Sequence, residues 1–201
     1  MHMKSQEVFL RFIDHLKETI KLSDLDVDFV LKKLEIKKLK RKEYLIQPGD
    51  VSRYMRFIVS GCMRSFYLDE NSQEHTLQFG IENWWINDLH SYLSRQPSRM
   101  YVQSIEKTVL VQIHRDNLES LYLEVPEIAR FFRLKIQSAY VALQERTIEN
   151  LSTNSYERYS NFRTQFRDIE QRLPQYVIAS YLGMRPEFLS ALKKKHVLDF
   201  S

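Results

Sequence analysis

Arg185, Glu187, Phe188, Ser190, Lys193 and Lys194 stand close together near the end of the chain, on what would be the exposed side of a helix. Their types suit a polyanion that also carries hydrogen-bonding edges. Arg185, Lys193 and Lys194 can neutralise phosphates, and the fork of Arg185 also matches guanine. Glu187 can accept from a cytosine amino group, and Ser190 can meet bases or phosphates. From Ser152 to Ser201 there are eight Lys/Arg against five Asp/Glu, and Lys193, Lys194 and Lys195 are consecutive. Three terminal lysines would equally suit the solvated C-terminal end of an ordinary helix. The surrounding sequence separates the two readings.

From Leu173 to Lys195 the spacing predicts a helix-turn-helix with its second helix in the major groove. Such a unit needs a small residue where its helices approach, here Ala179, and a residue tolerant of positive φ in the turn, here Gly183. Ile178 and Leu182 can anchor the first helix, Leu189 and Leu192 the second. Pro186 fits a first helical turn, where a missing amide costs nothing. A helical hairpin packed into the body of the protein would not need all of these together.

The elements that must position this unit are legible upstream. Glu7 to Ile20 carries Val8, Phe9, Phe12, Ile13, Leu16 and Ile20 at helical spacing. A second short helix is opened by Ser23 or Asp24 and runs through Val27, Val30, Leu31 and Leu34. From about Ile36 to Ile113 the pattern shortens to strands: Leu39, Tyr44–Ile46, Met55–Ser60, Cys62–Leu68, Thr76–Phe79, Tyr101–Ile105 and Val109–Ile113. Turn-forming clusters such as Gln47-Pro48-Gly49-Asp50 and Asp69-Glu70-Asn71-Ser72 separate them, which predicts an antiparallel sandwich or barrel. A short helix near Arg115 to Tyr122 precedes a long one opened by Pro126. Phe132, Ile136, Ala139 and Leu143 give the long helix the spacing of a helix-helix seam between two copies of the chain. Packing wholly within its own subunit is the alternative. The polar run Ser152-Thr153-Asn154-Ser155 marks a boundary before a further helix, Tyr156 to Arg172. The expected domains are therefore 1–125, 126–151 and 152–201.

Composition narrows the function. With 201 residues, 43% hydrophobic and 28% charged, the chain suits a globular α+β protein of two units. No apolar run approaches the roughly 18–20 residues that cross a bilayer, and no leader pattern opens the chain, so a cytoplasmic protein with no membrane partner is expected. The single cysteine, Cys62, excludes an internal disulfide, and the scattered histidines lack zinc spacing. No metal and no cofactor are implied. The glycines, Gly49, Gly61, Gly80 and Gly183, form no phosphate loop or nucleophile elbow, so an enzyme is not expected. The net charge of +4 suits a nucleic acid without requiring one.

Two stretches carry a resemblance. Tyr44-Leu45-Ile46-Gln47-Pro48-Gly49-Asp50, followed by Tyr54-Met55-Arg56-Phe57-Ile58-Val59-Ser60-Gly61, looks like early jelly-roll strands with their Gly turns. Ala179…Tyr181-Leu182-Gly183-Met184…Glu187…Leu189-Ser190 looks like the matching DNA-reading element. Nearly the full chain resembles the cyclic-AMP receptor and fumarate-nitrate regulator (Crp/Fnr) family of bacterial transcription factors. The resemblance implies an N-terminal double-stranded β-helix (jelly-roll) sensor, a long dimerisation helix and a C-terminal helix-turn-helix. Its partners would be double-stranded DNA, a second copy of the chain, RNA polymerase and a small-molecule effector.

The departures bear on the ligand. Asn87 and Asp88 stand where nucleotide-binding members place a Gly-Glu pair, and Arg99 is followed by Met100 and Tyr101 instead of small residues. Asn87, Asp88, Arg99 and Met100 are thus the residues of a degenerate pocket, because a phosphate cradle needs close backbone approach and free amides. Without a four-cysteine cluster, an iron–sulfur sensor is excluded. Pro186 and Ala191 occupy reading-helix positions where members place arginines, and the β-hairpin wing is absent or vestigial. The reading is a homodimeric, sequence-specific DNA-binding regulator. A small-ligand module whose terminal helices contact proteins remains the alternative.

Overall fold

A computed structural model of the chain describes residues 4–198, and the side chains of 4–194. In chain order the elements are helices α1 (Ser5–Lys17) and α2 (Asp24–Leu31), then strands β1 (Leu34–Leu39), β2 (Tyr44–Ile46), β3 (Tyr54–Ser60), β4 (Met63–Leu68) and β5 (Glu74–Gly80). Helix α3 (Leu89–Ser94), strands β6 (Tyr101–Ser104) and β7 (Thr108–His114), and helices α4 (Arg115–Glu124) and α5 (Pro126–Ser152) follow. The chain ends in α6 (Ser155–Gln165), α7 (Arg167–Glu170), α8 (Gln175–Tyr181) and α9 (Pro186–Leu198).

The strands form two sheets, ordered β1-β7-β3 and β2-β6-β4-β5. In the first, β7 lies antiparallel to both neighbours, with Val111 opposite Ile36 on one side and Phe57 on the other. Alternation along β3 explains its nearly continuous apolar sequence. Ile58 faces the space between the sheets, with Leu39, Ile46, Met63, Ile86, Val102 and Leu110. Met55, Phe57 and Val59 face the opposite side, where α1, α4 and the start of α5 cover them. Both faces are buried, so both parities must be apolar. Phe12 and Trp85 close edge-on and tilted against Phe57, with ring centroids 5.4 and 5.6 Å away. Aromatic pairs of this kind contribute about 0.5–1.5 kcal/mol beyond their buried area.

Local chemistry sets the element ends. Ser23 opens α2 with a capping box, its hydroxyl accepting from the Asp26 amide while the Asp26 carboxylate accepts from the Ser23 amide. The β3–β4 turn passes through Gly61 at φ +105°, where a Cβ would collide with Thr108. Helix α3 was not legible in the sequence: it is six residues long and is started by the buried Asp88 carboxylate, which accepts from the Ser91 amide. The single helix expected over Tyr156–Arg172 is instead broken at Phe166, which leaves the helical region (φ −126°, ψ 35°).

The chain divides into two compact units. One holds residues up to Ser65 with Phe79–Tyr140, and contains both apolar clusters described above. The other holds Phe66–Gln78, the end of the β4–β5 hairpin, with the chain from Val141 onward.

Candidate nucleic-acid interface

Helices α8 and α9 are joined by a turn that the sequence dictates. At the end of α8 the Gly183 amide bonds to the Ser180 carbonyl (3.2 Å), and the Met184 amide bonds to the Ala179 carbonyl (2.9 Å). This is a Schellman motif with Gly183 in the left-handed region at φ +67°. A Cβ there would meet nothing, so the requirement for glycine is conformational, not steric. Pro186 is the first residue of α9. Ala179, Ile178, Leu182 and Leu189 are buried and Leu192 is half-buried, so the expected small contact and anchors hold the two helices together.

Outward, α9 and its lead-in expose Arg185, Glu187, Phe188, Ala191 and Lys194. Phe188 is 48% exposed and lies between Glu187 and the buried Leu189. Two of the expected contact residues are engaged inside the unit. The Ser190 hydroxyl accepts from Gln175 Nε2 (2.5 Å), which also donates to the Pro186 carbonyl (3.1 Å). Gln175 thereby fastens the start of α8 to α9. Lys193 Nζ lies 2.8 Å from Glu170 Oε1, and Arg163 Nε lies 3.3 Å from Glu170 Oε2. The Tyr159 hydroxyl donates to the same carboxylate at 3.0 Å. Burial works against the Glu170 charge, but Lys193, Tyr159 and Arg163 outweigh it and hold the carboxyl below its ordinary pKa. Lys194 is thus the outward-facing lysine of the pair. The side chain of Lys195, and the stretch after Leu198 that bears on the expected wing, lie outside the described residues.

The back of the motif is held by residues that sequence reading did not single out. Ser180 Oγ accepts from the Thr76 amide (2.7 Å) and donates to the Glu74 carbonyl (2.6 Å), so one α8 side chain replaces a strand partner at the end of β5. Arg146 on α5 donates to the carbonyls of Thr76, Leu77 and Tyr181 and lies over the Tyr181 ring at 3.9 Å. Burial lowers its guanidinium pKa, against the smaller opposing pull of Tyr181 and Glu149. Arg158 donates to the Leu182 carbonyl at the turn and to the Thr153 carbonyl between α5 and α6. These partners are far apart in sequence, and no local pattern announces them.

Residues 36–124 match the model of the cyclic nucleotide-binding domain. No curated protein matches the chain in sequence. Among solved structures, the c-di-GMP-responsive global regulator CLP of Xanthomonas campestris is similar at 11% identity and a TM-score of 0.72, over 88% of this chain and 93% of that one. FixK2 of Bradyrhizobium japonicum is similar at 15% identity and a TM-score of 0.72, over 83% and 85%. The catabolite activator protein of Thermus thermophilus is similar at 17% identity and a TM-score of 0.54, over 92% and 87%. The fold is that of the Crp/Fnr regulators.

Of the candidate pocket residues, Asn87 and Asp88 spend their side chains on backbone amides. Asn87 Oδ1 accepts from the Arg56 amide at 3.0 Å, and Asp88 is occupied capping α3. Arg99 is exposed, and the Met100 amide is taken by Ser98 Oγ (3.0 Å). The Crp/Fnr-type long helix also corrects one expectation. Phe132 is 2% exposed and packs edge-on to Trp85 at 5.0 Å, inside its own unit, so it is not part of an open seam. Ile136, Ala139 and Leu143 are exposed, and Tyr140 joins them on the same side of α5.

Proposed function

We propose that the chain is a homodimeric, sequence-specific DNA-binding transcription regulator whose nucleotide pocket is degenerate. The observation that carries this reading is the outward face of α9. A Schellman turn and a buried apolar back hold the helix, while Arg185, Glu187, Phe188 and Lys194 are exposed on its outer side. Arg185 and Lys194 would neutralise phosphates, with Arg185 also able to reach guanine. Glu187 would accept from cytosine, and Phe188 would pack on thymine methyls or sugar. Ser190 and Lys193 would enter only by exchanging their present partners. With Pro186 and Ala191 at two reading positions, part of the specificity would rest on DNA deformability.

Dimerisation would use Ile136, Ala139, Tyr140 and Leu143. A single short reading helix binds weakly, and pairing two doubles the phosphate contacts and imposes two half-sites about 34–36 Å apart. The consumption of Asn87 and Asp88 in backbone hydrogen bonds supports a sensor that does not hold a cyclic nucleotide in the family manner. Selection of bound fragments from a genomic library tests the proposal. It expects a two-fold symmetric site with half-sites one helical turn apart, and fragments no better bound than random DNA would overturn it.

A further inference from the structure

The jelly-roll unit contains a second cationic centre, beside Asn87, whose Oδ1 accepts from the Arg56 amide, and independent of the DNA-binding reading. Its hub is Ser52, which is fully buried between β2 and β3. Arg56 Nη1 donates to Ser52 Oγ (3.4 Å) and to the Tyr54 carbonyl (3.3 Å). Arg115 Nη2 donates to the Ser52 carbonyl (2.9 Å), and the Arg115 amide donates to the Arg53 carbonyl (2.8 Å). Three arginines therefore hang on one short segment. Arg95 joins them, since Arg53, Arg95, His114, Arg115 and Asp116 line a depression of about 220 Å³. A neighbouring depression of about 320 Å³ is lined by Asp50, Arg53, Tyr54 and Arg56 among others, so Arg53 is common to both.

The charges here do not balance. Arg56 is only 6% exposed, yet no carboxylate among the described residues pairs with it, and its burial pulls the guanidinium down to about 10. The Nε atoms of Arg56 and Arg115 are both buried and lack a hydrogen-bond partner among the described residues. Against four arginines, the lining offers Asp50 and Asp116, and these are directed at the Gln47 amide and at His114 (3.5 Å). A buried guanidinium with only neutral partners is costly, and such groups are normally found with an anion. Tyr54 and Tyr92 lie against the Arg56 and Arg115 guanidinium groups at 5.4 and 4.8 Å and hold their planes in place. Fixed forks and an excess of positive charge are the chemistry that recognises a tetrahedral dianion.

We infer that Arg53, Arg56, Arg95 and Arg115 form a binding site for a phosphate dianion, either free or as a small phosphomonoester. Isothermal titration of the full chain at constant ionic strength, with inorganic phosphate and with glycerol phosphate as probes, tests it. Saturable binding is expected for at least one probe, and the tighter of the two identifies the source. Arg53 and Arg95 are exposed, so Arg53→Gln and Arg95→Asn should fold, asparagine suiting the left-handed backbone at position 95 (φ 62°). Each should weaken binding about tenfold, as expected for a lost charge-assisted hydrogen bond, while melting of the unliganded protein stays unchanged. Lys194→Ala should bind the probe as the parent does. Heats no larger than a sodium chloride control, or affinities that ignore Arg53→Gln and Arg95→Asn, would overturn the assignment.

Discussion

The segment 87–100 and the segment 175–194 hold the two sets of candidate binding residues, and the two segments use their polar side chains in different ways. In the first, Asn87, Asp88 and Ser98 turn inward and satisfy backbone amides of Arg56, Ser91 and Met100. In the second, Ser190 and Lys193 are drawn inside while Arg185, Glu187 and Lys194 stay in solvent. A buried amide needs an acceptor more than an exposed one does, because water supplies the exposed one. In the first segment the polar side chains complete the backbone of a tight loop, and in the second Ser190 and Lys193 tie α9 to its unit while Arg185, Glu187 and Lys194 keep to the outer face.

That contrast can be broken in order of expected effect. Leu189→Ala removes the fully buried anchor behind α9 and should cost about 2–5 kcal/mol in a urea titration, with DNA binding lost along with the fold of the unit. Arg185→Ala should leave the melting temperature unchanged and reduce affinity for a specific site by about 1–3 kcal/mol, read by fluorescence anisotropy. Asp88→Ala should do the reverse, removing the α3 cap for about 1 kcal/mol of stability without changing affinity for DNA. A change in DNA affinity from Asp88→Ala as large as that from Arg185→Ala would dissolve the distinction between the two segments.

The smallest effect separates adjacent lysines. The Glu170 carboxyl is held below its ordinary value in the folded chain, so its contribution is present above the unfolded pKa and is lost as pH falls through the folded one. Stability should therefore decline as the medium is acidified below about pH 4.5, near the ordinary value of the group. Lys193→Ala should flatten that decline, and Lys194→Ala should not. The readout is the acid limb of the thermal melting curve.

Much of this arrangement was legible in the sequence where the signal is local. Alternating strands, the Ser23 cap, Pro126, Pro186 and Gly183 each act within one or two turns, and each stands where its chemistry requires. Phe132 was misassigned to the dimer seam because α5 has two apolar faces, and what decides between them is Trp85, which arrives from a distant loop. The break at Phe166 follows no Gly or Pro; the ring there packs against Phe162 and Tyr181, and that packing is tertiary. Ser180 and Arg146 escaped for the same reason, their partners on the β4–β5 hairpin being remote in sequence. For the candidate interface, residue types were readable but not their engagement. Nothing near Lys193 or Ser190 announces Glu170 or Gln175.

The most direct test of the central claim, that the outward face of α9 grips DNA, is the salt dependence of binding for Lys194→Ala beside Lys193→Ala. Affinity for a selected site would be followed between about 50 and 200 mM salt, where each neutralised phosphate contributes close to one unit of slope. The account predicts that Lys194→Ala lowers the slope by about one per subunit while Lys193→Ala changes it far less. Equal slopes for the parent chain and both variants would contradict it.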